Sequence, residues 1–162
     1  MAGTLDGKVA LISGSGRGIG RSIAMKFASQ GARVVVNDLD AGPAEEVVAE
    51  IAAVGGEAVA CVGSVTAPDF ADRFVGTAVK TYAGLDIIVN NAGYTWDNVI
   101  QKTTDEQWYA ILDCHLTAPF RILRAAQPVI RGLVKAEAGE GRRVMRRVVN
   151  ISSVAGMIGN EG

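Results

Sequence analysis

Five short runs of apolar and β-branched residues recur along the chain, each separated from the next by a segment with helical spacing. They are Lys8–Ser13, Ala32–Val36, Ala58–Val62, Asp86–Val89 and Arg147–Ile151. The runs are near-continuously apolar rather than alternating, which is how strands read when a parallel sheet is covered on both faces. Between them, Ile19, Ile23 and Phe27 repeat every four residues, and Val47, Ile51 and Val54 every four or three. Phe70, Phe74, Ala78 and Tyr82 repeat every four, so each segment carries one apolar helical stripe. In the fourth segment Thr104-Asp105-Glu106-Gln107 fits a capping box, with Thr104 at the N-cap. Trp108, Ile111, Leu112, His115 and Leu116 should then share a face, and Pro119 should kink or interrupt that helix. The alternation, without linker or repeat, predicts one α/β domain over residues 1–162 with a doubly wound parallel sheet.

Composition narrows the function classes. With 49% apolar and 20% charged residues, the chain can bury a core. Sixteen Lys and Arg against 17 Asp and Glu give a net charge of -1, which argues against a chain-wide grip on nucleic acid or anionic lipid. No apolar stretch approaches the ~18 residues of a membrane span, and Asp6 and Lys8 break the N-terminus before a signal peptide could form. Cys61 and Cys114 read as two buried thiols rather than a disulfide framework, so a soluble cytoplasmic protein is expected. One His and no Cys-x-x-Cys give no support to a metal site. Arg142, Arg143, Arg146 and Arg147 form the only dense basic patch. It reads either as a solvated loop face or as a landing site for an acidic partner or phosphate-bearing substrate.

The first run leads into Ser13-Gly14-Ser15-Gly16-Arg17-Gly18-Ile19-Gly20 and then a helix. The spacing is G-x-x-x-G-x-G through Gly14, Gly18 and Gly20, not G-x-G-x-x-G, and no Gly-Lys-Ser/Thr follows to make a Walker loop. Glycines between a strand and a helix permit close backbone approach, and the free N–H groups of the helix start can receive a pyrophosphate. Asp38 ends the next run, 24 residues after Gly14, near the ~20 expected of a carboxylate that hydrogen-bonds a ribose.

These residues resemble the short-chain dehydrogenase/reductase family. Ser13-Gly14-x-x-x-Gly18-Ile19-Gly20 is similar to its Thr-Gly-x-x-x-Gly-Ile-Gly motif. Asn90-Asn91-Ala92-Gly93 matches its Asn-Asn-Ala-Gly motif, and Asn150-Ile151-Ser152-Ser153 resembles the strand end that carries its catalytic serine. The resemblance implies a Rossmann-like domain that transfers a hydride between a nicotinamide cofactor and a carbonyl or alcohol. It assigns Gly14, Ser15, Arg17, Gly18, Ile19 and Gly20 to the pyrophosphate turn, and Asp38 with Leu39 to the adenosine ribose. Ser64 and Val65 would flank the adenine, and Asn91, Ala92 and Gly93 would form the cofactor floor. Ser153, rather than its neighbour Ser152, would donate to the substrate oxygen.

Three departures stand out. Ser64 occupies a slot often filled by Asp. His115 stands where many members carry the Asn of a proton relay; it reads as a catalytic relay residue or as a core histidine with one ring nitrogen satisfied. The family's general acid lies in a Tyr-x-x-x-Lys motif about a dozen residues past the serine, and this sequence reaches Gly162 before it. The expected sheet is therefore truncated after the fifth strand, either as a fragment of a longer enzyme, which is preferred, or as a silent nucleotide-binding or scaffold remnant. The overall pattern resembles 3-oxoacyl-acyl-carrier-protein reductases. His115 and the run Val36-Asn37-Asp38-Leu39 resemble the (3R)-hydroxyacyl-CoA dehydrogenase branch. A small-molecule or carrier-bound acyl substrate follows from that resemblance. Asp38 favours NAD(H), while Arg17 in the turn leaves NADP(H) possible. A homodimer or homotetramer is expected, from an unpaired fifth strand and an apolar stripe of Phe120, Leu123, Ala126 and Ile130; the stripe also reads as core facing the sheet.

Overall fold

In the computed structural model, which describes residues 3–159, each apolar run contains a strand: β1 Val9–Ile12, β2 Arg33–Val36, β3 Glu57–Ala60, β4 Ile87–Asn90 and β5 Arg147–Asn150. All pair in parallel, in the order β3-β2-β1-β4-β5. In register, Ile12 at the end of β1 lies between Val36 of β2 and Val89 of β4. The chain winds outward from β1 to β3 and then crosses back to β4, so the order reverses at β1 and β4. A crevice opens there, beyond the C-terminal strand ends.

Strand residues alternate between two cores. Ala10, Ile12, Val34, Val36, Ile87 and Val89 face α1 (Gly18–Ser29) and α2 (Ala41–Ala53). Val9, Leu11, Val35 and Ile88 face α3 (Phe70–Tyr82) and α5 (Ala118–Gly139). Between β4 and α5 lie a 3-10 turn at Ile100–Lys102, α4 (Asp105–Leu112) and a π-helical segment Asp113–Thr117. A short α6, Ala155–Ile158, follows β5.

The α3 stripe is as expected: Phe70, Phe74 and Ala78 are buried, with Tyr82 half-buried beneath the Arg33 guanidinium. The α1 stripe is displaced by one residue. Gly20, Ala24 and Ala28 are buried, Ile23 and Phe27 are half-buried, and Ile19 is exposed. Small residues let the helix axis approach the sheet more closely than an Ile/Phe stripe would, so the larger side chains are turned to its flank. On α2, Val47 and Ile51 are buried, but Val54 is the exposed C-cap.

The capping box of α4 is present in full. Gln107 N–H donates to Thr104 Oγ1 at 3.2 Å, and Thr104 N–H donates to Gln107 Oε1 at 3.0 Å. The apolar face proposed for that helix is not. Trp108 and Leu116 are exposed, Ile111 and Leu112 are half-buried, and among residues 105–117 only Cys114 is buried. The π turn is the reason, because its wider turn rotates everything downstream relative to α4. Pro119 follows that turn in the first turn of α5, where a missing N–H is least damaging, while Pro128 lies inside α5 without ending it.

Strand β5 differs most from its sequence pattern. All four of its residues are exposed, including Val148 at 48% and Val149 at 40%, so this strand forms an uncovered edge. Before it, the arginine patch is partly internal. Arg146 donates to both Glu137 carboxylate oxygens, at 2.9 and 2.6 Å, and to the Leu85 carbonyl; Arg142 pairs with Glu140. The Arg146 guanidinium thereby holds the Glu137 carboxyl below its ordinary range. Among the described residues, no helix is long and apolar enough to cross a membrane.

Candidate functional site

The turn after β1 is tied to β4 by its first residue. Ser13 Oγ accepts from Asn91 N–H at 3.0 Å and Ala92 N–H at 3.1 Å, and Asn91 Nδ2 donates to the Ser13 and Gly14 carbonyls. This brings Ala92 against Gly14, where an added Cβ would stand 2.8 Å from the Ala92 Cα and φ is +61°. Only glycine fits both demands. The start of α1 comes as near: a Cβ on Gly20 would lie 2.2 Å from the Gly14 carbonyl.

A second tie joins the turn to β2 and β3. The side chain of Asn37, 1% exposed, accepts from Gly14 N–H at 3.0 Å and donates to the Cys61 and Gly63 carbonyls, each at 3.0 Å. Ser15 is saturated within the same network. Its N–H donates to the Asn37 carbonyl, its hydroxyl donates to the Ile12 carbonyl, and that hydroxyl accepts from Asn37 N–H. Sequence reasoning missed Asn37 as a structural element. The available signal was an amide in a run of valines, a residue type that strands disfavour unless its polar groups are needed.

Over these ties lies a cleft of about 540 Å³. Among the residues assigned from the sequence, Gly14, Arg17, Asp38, Leu39, Ser64, Val65, Ala92 and Gly93 line it. Ser15 and Asn91 lie behind the wall as its fasteners, and Gly18, Ile19 and Gly20 form the first turn of α1 beside it. Arg17 at the N-cap makes no side-chain capping bond, and that turn holds no acidic residue, so its N–H groups remain available to an anion. Cys114, not anticipated from the sequence as a wall residue, also lines the cleft; burial pushes its thiol above the ordinary value.

Asp38 is 8% exposed and closely held. Its Oδ1 accepts from Asp40 N–H at 3.1 Å, and a Cβ on Gly16 would lie 2.6 Å from its Oδ2. Arg17 reaches across with a terminal nitrogen 3.7 Å from Asp38 Oδ1 and 2.5 Å from Asp40 Oδ2. The hydrogen bond to Asp40 and then the charge of Asp38 raise the guanidinium above its ordinary pKa.

His115 is exposed, which removes the core-histidine reading. It sits on the π segment, its Nε2 2.8 Å from the Tyr94 carbonyl and 3.4 Å from Tyr94 N. The shorter contact makes Nε2–H a donor to that carbonyl. The ring lies against Gly93, where a Cβ would meet Cε1 at 2.5 Å. A neighbouring cavity of about 290 Å³ is walled by Tyr94, Trp96, Trp108, Ile111 and His115. Ser153 lies past β5 and is exposed, its Oγ accepting from Ala155 N–H at 3.2 Å; it does not line either cavity.

A doubly wound sheet with a glycine-rich turn at its switch point and a fixed carboxylate closing β2 defines an α/β protein of the dinucleotide-binding class. Residues 8–162 match the short chain dehydrogenase family, and the chain belongs to it, a family of NAD(P)-dependent oxidoreductases. It is 38% identical to a 3-oxoacyl-[acyl-carrier-protein] reductase of Synechocystis, covering 98% of this chain and 60% of that protein. It is 42% identical to the hydroxyacyl-CoA dehydrogenase ChsB1 of Mycobacterium tuberculosis, covering 98% and 50%. The solved structure of a metagenomic short-chain oxidoreductase in complex with NADP superposes with a TM-score of 0.81 at 34% identity, over 94% of this chain and 65% of that one. The chain thus spans half to three-fifths of the length of these curated relatives.

Proposed function

We propose that this chain supplies the cofactor-binding part of an oxidoreductase that uses NAD(H) on 3-oxoacyl or 3-hydroxyacyl thioesters. The observation that carries the cofactor half is the Asp38 carboxylate, buried in the cleft wall with both oxygens positioned. It is a fixed acceptor for a ribose diol. A 2′-phosphate there would meet a like charge, at about 4 kcal/mol for a ~4 Å separation and an effective dielectric of ~20, reduced by solvent and by Arg17.

Other residues fit a dinucleotide. The first turn of α1 and the Gly14 backbone would take the pyrophosphate, Ser64 and Val65 would flank the adenine, and Ala92 and Gly93 would support the nicotinamide. When bound, the nicotinamide supplies or accepts the hydride. Ser153 would donate to the oxygen that becomes an alkoxide, a hydrogen bond felt most in the transition state. His115, fixed by Tyr94 through Nε2, keeps Nδ1 as its second group for proton movement.

The substrate half is supported by the reductase and dehydrogenase relatives and by the aromatic cavity beside His115 and Tyr94, which suits an acyl group. Assembly into a homodimer or homotetramer is supported by exposed Phe120 and by a groove along Leu123, Ile130 and Val134 on α5. Part of the apolar stripe is core, however, because Ala126 is fully buried.

The test follows NADH consumption with a 3-oxoacyl thioester. The 162-residue chain alone should turn over nothing useful, because no Tyr-x-x-x-Lys lies within it and loss of a general acid lowers rates ~10²–10⁴-fold. A polypeptide carrying these residues together with that motif should be active, and Ser153→Ala should lower its kcat with little change in NADH affinity. Damage from Ser152→Ala instead would move the serine assignment by one. Nucleotide binding without turnover in the longer polypeptide would favour a scaffold.

A further inference from the structure

Asp40 is the N-cap of α2, yet its side chain makes no capping hydrogen bond. An Asp in that position ordinarily accepts from the second or third N–H of its helix. Here its carboxylate is turned toward the glycine-rich turn and receives Arg17, while its own N–H is given to Asp38. The three charged groups therefore have unequal freedom. Asp38 is fixed against Gly16 and by the Asp40 N–H, whereas Arg17 and Asp40 are more than half exposed and joined only by their ion pair.

We propose that Asp40 is a positioning residue that restrains Arg17, so that the Arg17–Asp40 pair acts as a latch setting the ratio of NAD(H) to NADP(H) binding. The inference rests on the dinucleotide reading of the cleft. With ribose hydroxyls at Asp38, Arg17 can stay on Asp40. A 2′-phosphate brings a new anion beside Asp38, and Arg17 must leave Asp40 to neutralise it. Because the pair is exposed, its opposition to that move is modest, about two- to fivefold in an equilibrium constant. Asp40 thus shapes cofactor choice through Arg17, without touching the cofactor itself.

The test is a double-variant cycle read by direct titration of NADH and NADPH, independent of turnover. Asp40→Asn keeps a good N-cap residue, so the fold is preserved. It should tighten NADPH about two- to fivefold and change NADH less. In an Arg17→Gln background the same replacement should no longer shift the NADPH-to-NADH ratio. A shift that persists without Arg17 would show that Asp40 acts by its own charge and would overturn the latch, as would no shift with Arg17 present. Failure of the unaltered chain to bind either dinucleotide would instead bring down the cofactor reading, and this inference with it.

Discussion

Replacing Asn37 by Ala would remove the side chain that ties the glycine-rich turn to the ends of two strands. Three partners lose their hydrogen bond: Gly14 N–H and the carbonyls of Cys61 and Gly63. A buried polar group left unsatisfied costs about 1–3 kcal/mol. Gly14 and Gly63 are only half-buried, so water replaces part of what is lost there. We therefore expect Asn37→Ala to destabilise the chain by about 3–5 kcal/mol, against the 5–15 kcal/mol of an ordinary domain. Asn37→Asp is the sharper variant. It retains an acceptor for Gly14 N–H but turns a carboxylate toward two carbonyl oxygens, so at neutral pH it should be at least as damaging. Urea denaturation followed by circular dichroism measures both. A loss below about 1 kcal/mol for Asn37→Ala, or an Asn37→Asp variant as stable as the unaltered chain, would refute this role for the amide.

Arg146 depresses the Glu137 pKa, so this pair stabilises the fold above the unfolded carboxyl value of ~4.3, and its contribution is lost as pH falls through the lower folded value. Glu137→Gln should accordingly be less stable than the unaltered chain at pH near 7 and equal to it in strong acid; a gap independent of pH would contradict the assignment. Gly93→Ala places a methyl 2.5 Å from His115 Cε1 and should cost about 1–3 kcal/mol as an overpacked contact. That cost should shrink in a His115→Ala background, and an unchanged cost would mean the ring is not what the methyl meets. Sedimentation at micromolar concentration should show self-association of the 162-residue chain, given the exposed β5 edge with Val148 and Val149. A well-behaved monomer would count against that expectation.

The strand runs were legible because Val34, Val35 and Val36, like Val9 to Ile12, are buried on both faces, which forces a continuous apolar pattern. Helical stripes were less faithful. A periodicity read from large residues placed Ile19 inward, whereas packing at α1 is governed by Gly20, Ala24 and Ala28, whose small size carries no hydropathy signal. Trp108 and Leu116 were misplaced because a π turn changes phase without any residue that marks it. Arg147–Ile151 has the composition of an interior strand but lies at an edge, since a sequence pattern records what a strand can bury rather than what covers it. At the site, Gly14, Asp38, Ala92 and Gly93 were found by spacing and resemblance. Asn37, Cys114 and the Arg17–Asp40 pair were not, since each depends on contacts between residues distant in sequence.

The most direct test of the account is a crystal structure of this chain with NAD+. We predict the adenosine ribose hydroxyls within hydrogen-bond distance of the Asp38 carboxylate, the pyrophosphate on the first turn of α1, and the nicotinamide over Ala92 and Gly93. A dinucleotide seated elsewhere, or one whose ribose turns away from Asp38, would contradict it.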